Sequence, residues 1–277
     1  MSTLLDQTEQ DYQDWNQFAA KLWAVVKEPP LAGSKLSAPP EFVTAGAVLM
    51  FHFVRASRTF QAIGLLAANG FTQDALVLAR TLVEVFFEMA FIARFPDDAV
   101  FYLEHAEKIE RSWQQRAKTQ APELLTFLGV AEEISTADPP QKRVGHGAWH
   151  PKFKSVRQRA EAAGVPMTDY DLLYALASRY VHGSGDWLRE VMKVAPDGVY
   201  VSYGSDRMER RLVLFIACDK FLEMLFMLEG CLKVPIRDRI MELKREYDAL
   251  VSKGAAIVNL KYALEATPNN SPDRRGG

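Results

Sequence analysis

The chain has little cysteine, no large excess of charge of either sign, and no long uninterrupted apolar run. Each absence removes a class of protein. Only Cys218 and Cys231 are present among 277 residues, thirteen positions apart in one predicted helix. At 1.5 Å per residue this separates them by roughly 20 Å, too far to pair, so no disulfide framework is expected. A formal net charge of -2 supplies no global field to gather nucleic acid or anionic lipid, and any such contact must be local. The nearest candidate for a membrane span, Leu212 to Leu232, is broken by Asp219, Lys220, Glu223 and Glu229, a pattern that suits a bundled helix. With no N-terminal signal pattern either, a cytoplasmic location and no membrane partner are expected. Motifs are lacking too. No G-x-S-x-G elbow serves a serine nucleophile, and no Glu-x-x-His pair serves a dimetal site. Neither a metal nor a cofactor is called for.

What the chain does have is apolar helix. Hydrophobic residues make up 48% of it, enough to bury a sizeable core. The stretch Thr72 to Arg94 is the centre of the pattern: between Ala75 and Ala93 the charged residues are Arg80, Glu84 and Glu88, spaced four apart. On a helix they stack along one side of an otherwise apolar cylinder. Such a helix belongs inside a bundle, its stripe facing a polar internal site or a strip of water. A structural ion-pair ladder is one reading of the stripe. The other is a preorganised site in which a guanidinium grips an anion and a buried glutamate acts as acid or base.

Around that helix the periodicities predict an all-α multi-helix bundle with one small peripheral β-hairpin. Tyr12, Trp15, Phe18, Leu22 and Val25 recur at steps of three or four, so residues 1–30 read as an N-terminal amphipathic helix. The bundle domain is expected over 40–266. A second long helix opens at Glu41 and stops at Gly70, and Asp98 is expected to cap the helix that follows Phe95. A period of two around Ala195-Pro196-Asp197-Gly198 predicts the hairpin at about 191–203. The polar residues 267–277 read as a disordered tail.

A second polar stripe runs along the predicted helix from Thr168, where Tyr170, Tyr174, Ser178 and His182 recur every four residues. Ser178 and His182 are i,i+4 neighbours, which in principle pairs a hydroxyl with an imidazole. A histidine in the last turn also suits the helix dipole. The segment 135–152 is read as an irregular loop carrying His146 and His150, with glycines and Pro151 arguing against a helical metal site there. Lys152, Lys154, Arg157 and Arg159 form a basic cluster read mainly as a solvated face. With Trp149 and Phe153 interleaved, it could alternatively contact phosphate and stack a base. Asp219 and Glu223 are expected partners for Arg80 across helices, beside Glu84.

Ala79-Arg80-Thr81-Leu82-Val83-Glu84 resembles the R-S/T-L-x-E motif of an uncharacterised bacterial helical family. Tyr170-x3-Tyr174-x3-Ser178-x3-His182 resembles that family's Y-x3-S-x3-H signature. The resemblance spans roughly residues 40 to 230 and implies a fold and a site but no reaction. In outline it is similar to HEPN domains, helical bundles of toxins and defence nucleases that act as dimers. Their arginine-to-histidine spacing is met here by Arg143-x6-His150 in the loop, whereas Arg179-x2-His182 is too short. Two functions are expected from these readings. One is a small polar or anionic ligand held by Arg80, Glu88, Tyr170 and Tyr174, with Glu84, Ser178 and His182 as reacting groups. The other is metal-independent cleavage of RNA by a homodimer.

Overall fold

In the computed structural model the described residues are 2–28, 31–32, 38–121, 123, 127, 148–175, 178, 192–195, 198–201 and 207–266. The helices are α1 (Ser2–Lys27), α2 (Val43–Ala68), α3 (Thr72–Arg94), α4 (Ala99–Gln120), α5 (Val156–Ala163), α6 (Arg207–Leu232) and α7 (Arg237–Ala266). Short 3-10 turns, Pro40–Phe42 and Pro96–Asp98, lead into α2 and α4, so α2 starts two residues later than Glu41. Among the described residues the fold is mostly helical, and within the stretch 191–203 an antiparallel ladder pairs Met192–Ala195 with Gly198–Val201, Ala195 opposite Gly198.

Helix α3 is the hub, packed against α2, α5 and α6. Thirteen of its residues, from Thr72 to Ile92, are buried, because an apolar surface that wraps most of a helix must find partners on several sides. The chain reaches α3 from α2 through a tight reversal. Gly70 takes φ +83°, and Phe71 N–H donates to Leu66 O at 2.9 Å. This closes the left-handed cap that glycine adopts without Cβ strain.

The face predicted for α1 is the one it buries: Tyr12, Trp15, Phe18, Leu22 and Val25 join the same hydrophobic cluster as α2, α3 and α6. Trp15 meets Phe215 of α6 and Tyr247 of α7 edge-on, with centroids 5.6 and 5.8 Å apart. Across the hub, Phe221 of α6 stacks on Phe53 and Phe60 of α2. Among the described residues no helix is long and apolar enough to cross a membrane. The charges inside Leu212–Leu232 explain this. Lys220, 1% exposed, is ringed by Asp169, Asp219 and Glu223 at 2.6, 2.9 and 3.3 Å. Asp219 also accepts from Tyr247 Oη at 2.5 Å. Asp219 and Glu223 therefore serve Lys220 and Tyr247, not Arg80.

Asp98 is the other departure at the level of single residues. It sits in the helical region without capping a backbone N–H, because its carboxylate is turned to His150 Nε2 at 3.1 Å. The predicted helix from Thr168 begins near 167, and Asp169–Tyr174 winds as a π-helical turn. His182 and His146 lie outside the described residues, as does the tail 267–277.

Candidate functional site

Two polar constellations meet on α3. The first is the one the stripes predict. Arg80 Nη2 donates to Tyr174 Oη at 2.6 Å and Nε to Ser178 Oγ at 3.0 Å, while Nη1 lies 3.6 Å from Glu84 Oε2. The guanidinium fork is thereby filled by three partners. Ser178 in turn donates its hydroxyl hydrogen to Tyr174 O at 2.7 Å, so that proton is held by a backbone carbonyl rather than shared with an imidazole. Tyr170 stacks on Tyr174 at 4.9 Å, and both rings face Phe87. Burial, with the nearby Glu84 carboxylate adding to it, raises the Tyr174 phenol above its ordinary range. Arg80, Glu84, Tyr174 and Ser178 thus come together as a fastening between α3 and the 167–178 segment. A Tyr174→Phe exchange is expected to lower the unfolding free energy by about 1–1.5 kcal/mol, the net worth of one such bond, measured by urea denaturation.

The second constellation is deeper, and it starts one turn further along at Glu88. Ser155 caps α5, accepting from Gln158 N while Gln158 reaches back to Ser155 N, and Gly164 at φ +77° ends the helix. This short, well-terminated helix aims Arg159, 1% exposed, at α3. Its Nε lies 2.9 Å and its Nη2 2.5 Å from the Glu88 carboxylate, and Nη1 donates to Phe153 O. Trp149 Nε1 completes the shell with a 2.9 Å bond to Glu88 Oε2. Burial raises the carboxyl's pKa, against the pull of Arg159 and Trp149. Two expectations change here. Arg159 is not on a solvated face with Lys152, Lys154 and Arg157, and Trp149, buried, is an anchor rather than a stacking platform for a base.

His150 holds the loop that carries Trp149. Its Nδ1 accepts from Lys152 N and Phe153 N at 3.1 and 2.9 Å, which leaves Nε2 as the N–H that donates to Asp98. Phe91, Phe101 and Phe153 surround the ring. Both nitrogens are engaged, and among the described residues no group of His, Cys, Asp and Glu is arranged to hold a metal ion.

Between these elements lies a cavity of about 390 Å³. Glu84, Val85 and Glu88 of α3 form one wall; Tyr102, His105, Ala106 and Ile109 of α4 form another; Trp149 and Arg159 close it on the α5 side. Helix α2 contributes His52 and Arg55. Arg80, Tyr174 and Ser178 do not line it; Glu84 is the residue common to the cavity and the fastening. His52 is 2% exposed, and neither ring nitrogen has a hydrogen-bond partner. Burial, reinforced by the Arg55 charge, pushes its pKa down to about 3, so the ring is neutral and offers one donor and one acceptor. Its ring lies 4.8 Å from that of Tyr102, whose phenol burial raises in pKa. His52, Arg55, Tyr102 and His105 were not among the predicted site residues. The signal available for His52 was its phase, since it falls in the apolar stripe of α2 between Leu49 and Phe53 on one side and Ala56 on the other.

Residues 46–199 match the profile of a family of unknown function, DUF5677. That is more than half of the 277-residue chain. The chain belongs to this family. The DUF5677 segment contains every cavity-lining residue, from His52 to Arg159, together with the fastening at Arg80. Helices α1, α6 and α7 lie outside it. No curated protein and no solved structure matches the chain.

Proposed function

We propose that the protein is a binding module that holds a small polar or anionic molecule in the cavity between α2, α3, α4 and α5. The observation that carries this reading is His52: a buried imidazole with both nitrogens unpartnered, lining a space of about 390 Å³. Leaving a buried polar group unsatisfied costs about 1–3 kcal/mol, and pockets that recognise small molecules place a few such groups among apolar walls. Helices α3 and α5 hold the floor of the space rigid through Glu88 and Arg159, so the site is preorganised. Cleavage of RNA has less support. It rests on His182, which lies outside the described residues, and on Ser178, whose hydroxyl is bonded to Tyr174 O.

The test is a ligand screen by thermal unfolding, run on the protein and on His52→Phe, which keeps a planar ring and removes both nitrogens. A true ligand at a hundredfold excess over its Kd stabilises the protein by about 2.7 kcal/mol. The gain is expected to vanish in His52→Phe. Stabilisation of equal size in both proteins for every compound found would place binding elsewhere and overturn the reading.

A further inference from the structure

We infer that the cavity takes an organic oxyanion, a carboxylate or a phosphate monoester, with one charged head at Arg55, His52 and Tyr102 and an apolar body against Val85, Ile109 and Trp149. The inference rests on the binding reading above and names the class of ligand. The charges around the space decide it. Glu88 is matched by Arg159 at 2.5 Å and Glu84 by Arg80 at 3.6 Å. Among the described residues Arg55, which is exposed at the cavity mouth side of α2, has no ion-pair partner, so of the arginines and carboxylates lining the cavity it is the one not engaged by a protein charge. A guanidinium presents paired N–H donors that match a carboxylate or phosphate edge, and such charge-assisted bonds are the strong ones.

His52 and Tyr102 stand beside that charge. The Arg55 cation acts on both rings, and the Glu88 carboxylate, itself paired with Arg159, acts on Tyr102 as well; the rings are 4.8 Å apart. Each can add a hydrogen bond, the imidazole from its N–H and the phenol from its hydroxyl. The remaining surface limits what can hang from the head. The volume of about 390 Å³ far exceeds a bare inorganic ion, and Val85, Ala106, Ile109 and the Trp149 ring favour a hydrocarbon or aromatic body. A second anionic group would reach toward Glu84 and Glu88, and like charges in a partly enclosed space repel strongly. One anionic head is therefore what the site accommodates.

Three probes that share a phenyl body test the inference by isothermal titration at constant ionic strength: benzoate, phenyl phosphate and benzamide. At least one anion is expected to bind tenfold or more tightly than neutral benzamide, and the better of the two identifies the head group. In Arg55→Met, a substitution at an exposed position, that preference is expected to fall below twofold, chiefly through loss of anion affinity. Benzamide binding as tightly as both anions, a preference that survives in Arg55→Met, or binding by none of the three at millimolar concentration would each overturn the inference. The outcome separates from that of the binding reading. A neutral compound from the screen whose effect disappears in His52→Phe would leave that reading standing while refuting the anionic head.

Discussion

Arg159→Met is expected to destabilise the protein by about 3–5 kcal/mol, because it strips the counter-charge from a largely buried carboxylate. Glu88 keeps its bond to Trp149 Nε1, but a single neutral donor does not replace a bidentate guanidinium. The companion variant separates the pair's net worth from the penalty of orphaning one member. In Glu88→Gln/Arg159→Met the amide oxygen still accepts from Trp149 and neither charge is buried, so most of the lost stability should return. Urea denaturation of the two variants against the parent measures both terms. A loss below 1 kcal/mol for Arg159→Met alone would mean that the carboxylate is not held as described.

A second large effect is a dependence on pH assigned to His52. In the unfolded chain this residue titrates near 6.5, whereas in the folded protein burial and Arg55 hold it at about 3. Between those values the unfolded state binds a proton that the native state refuses. The contribution is therefore fully present above pH 6.5 and is lost as pH falls, at about 1.4 kcal/mol per unit. At pH 3 the accumulated loss reaches about 4–5 kcal/mol. Other groups facing the ring complicate the raw curve: Arg55 on α2, Glu84 and Glu88 on α3, Tyr102 and His105 on α4, and Arg159 on α5. Comparing the protein with His52→Phe cancels most of them. The stability difference between the two should run steadily in favour of His52→Phe as pH falls from 6.5 to 4; a flat difference would show that the imidazole is already protonated or hydrated in the folded state.

The fold was legible where periodicity alone decides an element. Thr72 to Arg94 is α3 from end to end, and the five residues picked out on α1 are buried. Both follow from one rule, that a helix buries the stripe its apolar residues trace. The two stripes were legible for the same reason, since Arg80 with Glu84 and Tyr174 with Ser178 sit at helical spacing on two segments; that Arg80 would close on Tyr174 and Ser178 directly, rather than hold a ligand between them, was not. The cavity was not. Its residues come from four helices, α2, α3, α4 and α5, and from the loop at Trp149, and spacing within one helix carries no information about which faces of different helices converge. Arg159 illustrates the limit. Nothing local distinguishes it from Arg157, which is exposed and ion-paired to Asp171 at 3.9 Å, yet two positions along an eight-residue helix one arginine is in water and the other in the core. Asp98 failed differently. Its position fits a cap, but a histidine 52 residues later competes for the carboxylate and wins.

The pairing of Glu88 with Arg159 also bears on the order in which the chain assembles. The two residues are 71 positions apart, and the hairpin of α2 with α3 forms from contacts much nearer in sequence, which close sooner. Any collapsed species in which α2 and α6 cover α3 before α5 arrives would trap a naked carboxylate, unless the group takes up a proton or stays wet. On any route where α5 docks last, its arrival is the step that seals the hub, and mildly acidic conditions, by neutralising that glutamate beforehand, should make premature closure easier.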